Sequence, residues 1–217
     1  MRWLAALGLG LLATPALAQM PPGFVRLADL APQVRQEIRY AGPNNFTGRP
    51  VPGYGAAACW LRRDAAEALA RAAATLAASG WRLVVYDCYR PARATAAFMR
   101  WADDPADQLR RAEYYPRVEK SRLFALGYIA RASSHSKGTA VDLGAERGDG
   151  TPLDFGTPFD MFDARSATAS REVSAEALAN RRRLAAALTA QGFAAYAREW
   201  WHFGFGGGGA AYDVPIR

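Results

Sequence analysis

The switch of hydrophobic period around Gly80 limits the fold of this chain more than any other feature. From Leu61 to Ser79 apolar side chains recur at Leu61, Ala65, Leu69, Ala72 and Leu76, with Glu67 and Arg71 one helical turn apart, and Gly80 ends the run. The spacing predicts an amphipathic helix. Trp81 to Tyr86 follows as Trp-Arg-Leu-Val-Val-Tyr, β-rich, of strand length and bounded by Pro91. The helix therefore hands the chain directly to a core strand whose end delivers Asp87, Tyr89 and Arg90.

Further along, Ala94 to Trp101 predicts a second helix, with Ala94, Ala97, Phe98 and Trp101 on one face and Asp103-Asp104-Pro105 as its stop. Thr139 to Leu143 reads as a short strand between Gly138 and Gly144. Thr168 to Gln191 turns helical toward its end, with Leu184 and Leu188 inward and Gly192 terminating it, and Phe193 to Phe205 reads as one aromatic-rich strand. Gly206 to Gly209 lacks the strand, helix and Lys-Ser or Lys-Thr partner of a phosphate loop. Helices and strands mix without a regular βαβ rhythm, so the expected class is α+β: one compact domain with a small, mostly antiparallel sheet packed by helices. The 217 residues, 51% hydrophobic, suffice for one buried core and fall short of two typical domains.

The N-terminus has a different character. Met1-Arg2-Trp3 is a short basic end, Leu4 to Pro15 an apolar run, and Ala16-Leu17-Ala18 a small-x-small cleavage pattern. Residues 1–18 are expected to be a signal peptide and 19–217 the exported domain, periplasmic or secreted. An uncleaved anchor is the alternative, weakened because the apolar run is too short to span a bilayer. No later apolar stretch reaches spanning length, so no stable membrane span is expected. The formal charge is +7, but export argues against a nucleic-acid partner. Arg62, Arg63, Arg71, Arg181, Arg182 and Arg183 read as solvated helix faces. Cys59 and Cys88, the only two cysteines, can close one disulfide in an oxidising compartment; two buried free thiols are the alternative.

The chain has two histidines, and each has a carboxylate nearby: His135 precedes Asp142, and Glu199 precedes His202. Either histidine alone would more often be a hydrogen-bonded core residue than a ligand. Together with Asp142 they make a three-ligand set that leaves a further position for water, the arrangement of catalytic rather than structural zinc. A strictly extended strand would put Glu199 and His202 on opposite faces, so the segment has to bend if both address one metal. Trp200 and Trp201 could wall off that site or simply pack in the core.

Ser-x-His-x-x-Gly-x-Ala-x-Asp followed by Glu-x-Trp-His resembles the D-alanyl-D-alanine dipeptidase family, zinc enzymes that include the dipeptidases of vancomycin resistance. The likeness runs from about Phe24 to His202. It takes in Asn45-Phe46-Thr47-Gly48, Pro52-Gly53-Tyr54, Tyr86-Asp87-Cys88-Tyr89-Arg90-Pro91, Phe159-Asp160-Met161-Phe162-Asp163 and Asn180-Arg181-Arg182-Arg183. The resemblance implies one zinc ion, at the sheet, held by His135, Asp142 and His202, with Glu199 as catalytic base and Arg90 as oxyanion stabiliser. It puts Ser133, Tyr40, Tyr54 and Asp160 around a small D,D-dipeptide substrate, Asp160 facing its ammonium, and says nothing of protein partners. Read from the residues alone, Arg90 could instead pair with Asp87, Asp160 could cap a turn, and Tyr40 and Tyr54 could be core residues. The departures are the N-terminal leader, Cys88 and the Gly-rich tail. Two rival functions remain at this level: a carboxypeptidase acting on longer cell-wall peptides ending in D-Ala-D-Ala, and a non-catalytic zinc-binding module, which would have no use for Glu199 and Arg90.

Overall fold

The computed structural model of the chain describes residues 19–206 and 208–217, so the leader expected at 1–18 lies outside the described residues. In chain order the elements are β1 (Phe24–Arg26), α1 (Leu27–Leu30), β2 (Arg35–Gln36), β3 (Trp60–Arg62), α2 (Arg63–Ala77), β4 (Trp81–Asp87) and α3 (Ala92–Asp103). They continue with α4 (Arg111–Tyr114), β5 (Ala140–Arg147), α5 (Ala175–Thr189), β6 (Phe193–Ala195) and β7 (His202–Phe205). Five strands form one sheet in the order β2-β4-β5-β7-β6. β2 runs parallel to β4, and every other neighbouring pair is antiparallel. β1 and β3 form a separate two-stranded ribbon. The architecture is the expected α+β domain.

The period switch at Gly80 does what its pattern requires. α2 buries Ala65, Ala68, Leu69, Ala72 and Leu76 and lies against β4 and α5. Gly80 has φ +78, a left-handed conformation open to glycine at little cost, and it releases the chain into β4. Leu69 and Leu184 are both 0% exposed, and truncating either to alanine would cost about 2–5 kcal/mol. β5 is buried along almost its whole length, as a central strand covered on both faces must be.

Several local expectations change. Leu61 belongs to β3, where it pairs with Val25, and the helix starts at Arg63. Ribbon pairing overrides the helical period there: Leu61 is 0% exposed in the strand, and its place in the ladder is opposite Val25 of β1. Glu67 lies 3.8 Å from Arg63 instead of pairing with Arg71, whose Nε donates to Gln191. α3 extends two residues beyond the expected helix at each end, and β5 runs on to Arg147. The segment from Thr168 becomes helical only at Ala175, after Ser174 caps the N-H of Ala177. Phe193–Phe205 is a hairpin of two short strands, not one long strand. Arg181 is 1% exposed, so it does not belong to a solvated face. Arg182 and Arg183 are exposed as expected. Cys59 and Cys88 are bridged, with Cα atoms 5.3 Å apart. Among the described residues no helix is long and apolar enough to cross a membrane.

Candidate active site

Three neighbouring strands put their polar residues in one row. Asp142 of β5 is opposite His202 of β7 on one side and opposite Asp87 of β4 on the other. Residues directly opposed across antiparallel strands share a face, so the three side chains meet. The row depends on a bulge: the ladder pairs Val85 with Leu143 and next Asp87 with Asp142, leaving Tyr86 as the extra residue. That extra residue reverses the alternation of β4 and turns Asp87 onto the face of Asp142.

His135 arrives from the turn Ser134–Lys137 that leads into β5. Ser133 caps this turn, its Oγ accepting from the N-H of His135 at 3.2 Å, and also lines the cavity. Gly138 closes it at φ +72, where any Cβ would lie 2.3 Å from the ring of Phe24. The Ser-x-His-x-x-Gly spacing is therefore a backbone device for presenting the imidazole. His135 Nδ1 is 2.7 Å from the carbonyl of Cys88, which can only accept, so Nδ1 carries a proton. In the neutral imidazole this leaves Nε2 as a bare lone pair, 3.1 Å from His202 Nδ1 and 3.3 Å from Asp142 Oδ1. His202 Nδ1 is in turn 2.9 Å from Asp142 Oδ1.

Three acceptor-capable atoms facing one another at these spacings form a group that could hold a cation. Ligand atoms of a tetrahedral site with bonds of about 2.0–2.1 Å lie about 3.3 Å apart, close to the observed separations. Two imidazoles and one carboxylate also form a donor set suited to a borderline divalent ion. The Cys88 carbonyl supplies the outer support that a ligating histidine commonly has.

Glu199 sits in the turn that splits β6 from β7, which resolves the face problem posed by an extended strand. The N-H of Trp200 donates to the carbonyl of Ser166 at 3.0 Å, and the Trp200 ring stacks on Phe155 with centroids 4.3 Å apart. With Trp200 fixed in the core, Glu199 and Trp201 line a cavity of about 360 Å³ together with Tyr40, Arg90, Ser133, His135, Asp142, Asp160 and His202. Arg90 donates to Asp87 at 2.9 and 2.8 Å, lies 3.6 Å from Asp142 and has its guanidinium 5.2 Å from the centroid of Tyr40. Its pairing with Asp87 and its place in the cavity are thus both real. Asp160 has φ +62, the one non-glycine residue among those described with positive φ, and accepts from the Tyr40 hydroxyl at 2.7 Å. Tyr54 does not line the cavity; its hydroxyl donates to Asp87 at 2.6 Å from behind. Asp87, 0% exposed, is the site residue that sequence reasoning treated only as a partner for Arg90.

The electrostatics are lopsided. Asp87, Asp142, Asp160 and Glu199 gather around a single guanidinium. Burial, reinforced by Asp142 and Asp160, pushes the Glu199 carboxyl well above the usual range against the pull of Arg90. Burial and then Asp142 likewise raise Asp160. Burial also acts to raise Asp142, but the two imidazoles, His135 foremost, hold it far below. For Arg90, burial is outweighed by Asp87, so the guanidinium stays charged.

The sequence profile of the D-ala-D-ala dipeptidase family matches residues 20–217. The chain belongs to that family. A D-alanyl-D-alanine dipeptidase of Enterococcus faecium is 40% identical over 185 residues, covering 85% of this chain and 92% of the relative. One from Streptomyces coelicolor is 37% identical over 185 residues, with the same coverage of both chains. One from Escherichia coli is 36% identical over 180 residues, 83% of each. This dipeptidase-family chain is therefore a peptidase, in a metal-dependent family, and His135, Asp142 and His202 form a group whose ligand atoms lie close enough together to hold a metal ion.

Proposed function

We propose that the protein is an exported, zinc-dependent dipeptidase that hydrolyses free D-alanyl-D-alanine, with Glu199 as general base. The observation that carries this reading is the bare Nε2 of His135 aimed at Asp142 and His202 in a cavity that also holds Glu199, Arg90 and Asp160. The relatives named for this activity support the substrate. The Cys59–Cys88 bridge and the basic-apolar N-terminus support export.

One zinc ion, held by His135, Asp142 and His202, would supply a water of lowered pKa and polarise the scissile carbonyl. Glu199 takes the proton that the attacking water loses and returns it to the departing amine nitrogen, which leaves as a neutral amine rather than an amide anion. Arg90, locked by Asp87, presents a fixed positive charge to the developing oxyanion without having to reorganise. Asp160, with Tyr40 fixing its carboxylate, faces the free ammonium of the substrate, and Ser133 contributes a hydroxyl to the cavity wall. Tyr54 acts through Asp87.

Incubating the zinc-loaded protein with D-Ala-D-Ala, L-Ala-L-Ala and a longer peptide ending in D-Ala-D-Ala tests the reading. Release of alanine from the D,D-dipeptide alone is the expected result. Preferential trimming of the longer peptide would replace it with a carboxypeptidase, and no cleavage of any of them with zinc bound would leave a binding module.

A further inference from the structure

Arg181 has an unusual position for an arginine. It projects from α5 into the core, is 1% exposed, and spends its donors on main-chain carbonyls: Nε on Phe155 at 2.7 Å, Nη1 on Arg165 at 2.9 Å and on Ala167 at 2.7 Å. Its Nη2 has no partner. Burial pulls its pKa down to about 10, with Asp154 opposing. A buried guanidinium whose hydrogen bonds all go to neutral carbonyls is a poor way to stabilise a core, since desolvation is only partly recovered through such acceptors. What it does instead is join two points of the chain, one on each side of Asp160.

The segment from Phe155 to Ala167 is the one that carries Asp160 into the cavity. Inside it, Ser166 Oγ donates to the carbonyl of Met161 at 2.6 Å and lies 3.0 Å from Thr157 Oγ1, which accepts from Trp200 Nε1 at 2.9 Å. Together with the N-H of Trp200 on the Ser166 carbonyl, these bonds tie the loop just inside its ends at Thr157 and Ser166; Arg181 takes the carbonyls of the end residues themselves, Phe155 and Ala167. Asp160 holds φ +62, a backbone state that a non-glycine residue keeps only when its surroundings over-determine it. The guanidinium fork can serve both ends at once, which the single ammonium of a lysine cannot do with the same planar spread.

We propose that Arg181 is a positioning residue for substrate recognition: by clamping both ends of the 155–167 loop it holds Asp160 in its left-handed conformation with the carboxylate in the cavity. The proposal rests on the reading of Asp160 as the ammonium-binding group. Arg181→Lys and Arg181→Gln then raise KM for D-Ala-D-Ala roughly 10-fold or more while kcat changes much less, the signature of lost ground-state binding. Both variants keep their zinc. Gln removes the buried charge while retaining a donor, so at least one of the two is expected to fold, as checked by circular dichroism.

The test is a double-mutant cycle with Asp160→Asn, run on D-Ala-D-Ala and on its N-acetyl derivative, which has no ammonium. The expected result is that either Arg181 variant combined with Asp160→Asn is no worse in KM than Asp160→Asn alone, and that each Arg181 single variant narrows the preference for the free dipeptide over the acetylated one. If Asp160→Asn raises KM but folded Arg181 variants leave it unchanged, or the two effects multiply independently, Arg181 is only structural and the proposal is overturned. If Asp160→Asn itself leaves KM and the preference unchanged, the ammonium reading fails and takes this proposal with it.

Discussion

The two ends of β5 carry buried carboxylates of opposite fate. Glu146, 2% exposed at one end, meets two arginines: Arg35 at 3.0 Å and Arg82 at 2.5 Å. Asp142, also 2% exposed at the other, sits among Asp87, Asp160 and Glu199 with Arg90 as the nearby guanidinium. The first cluster is matched by the chain itself and has no need of a ligand. The second has more acidic groups than basic ones, and the bare Nε2 of His135 besides, which suits the proposed cation and the proposed ammonium end of the substrate. Unmatched buried charge marks the place where this fold works; matched buried charge marks where it is held together.

The strongest way to break this contrast is to remove the ligands. His135→Ala, Asp142→Ala and His202→Ala are each expected to reduce bound zinc from one per chain to near none and to abolish turnover; metal analysis after dialysis reads the outcome, and full retention in all of them would erase the site. Next comes Glu199→Gln, which should keep the metal yet lose about 100- to 10,000-fold in kcat. Arg90→Ala follows, with zinc retained and kcat down about 100- to 1,000-fold. A zinc-loaded Glu199→Gln protein that turned over D-Ala-D-Ala at near wild-type rate would overturn the proposed mechanism.

At the matched end the same kind of change should touch stability and spare catalysis. Glu146→Gln leaves two arginines facing a neutral amide, but both are part-exposed, 39% and 44% by side chain, so the loss is expected to be about 1–2 kcal/mol rather than the 3–5 of a fully buried pair. Urea unfolding measures it, and an equal fall in kcat/KM would blur the distinction between the two ends.

Asp163 offers the smallest and sharpest check. Burial acts to raise this carboxyl, but Arg117 and Arg165 hold it well below the usual range. A carboxyl whose folded pKa lies below its unfolded value of about 3.9 contributes stability fully above that pH and loses it as pH falls further. Asp163→Asn should therefore flatten the acid limb of the stability curve below about pH 4 and leave it parallel to wild type near neutrality. An unchanged acid limb would show that the pairing stabilises nothing.

How far these features could be read without coordinates follows from how local each one is. The grouping of His135, Asp142 and His202 was legible because two histidines in a whole chain, each near a carboxylate, leave few ways to combine, and because the turn that presents His135 is encoded by its own Ser and Gly; Glu199 and Arg90 were singled out with the help of the family resemblance, and both line the same cavity. The period switch at Gly80 and the α+β class were equally local. The cysteine pair was a choice between bridge and thiols, and the structure closes it. Tertiary structure decided the rest. A one-residue bulge at Tyr86 brings Asp87 into the row with Asp142 and His202, and a hairpin turn in place of one long strand aims Glu199 into the cavity. Tyr54 is drawn away to Asp87, and Arg181, indistinguishable in sequence from its exposed neighbours Arg182 and Arg183, is turned inward to carbonyls at Phe155, Arg165 and Ala167. Residue type and short spacing act through bonds along the backbone and so can be read in one dimension; register, burial and the sharing of a face depend on partners far along the chain, 120 positions away between Tyr40 and Asp160, and only the packed chain determines them.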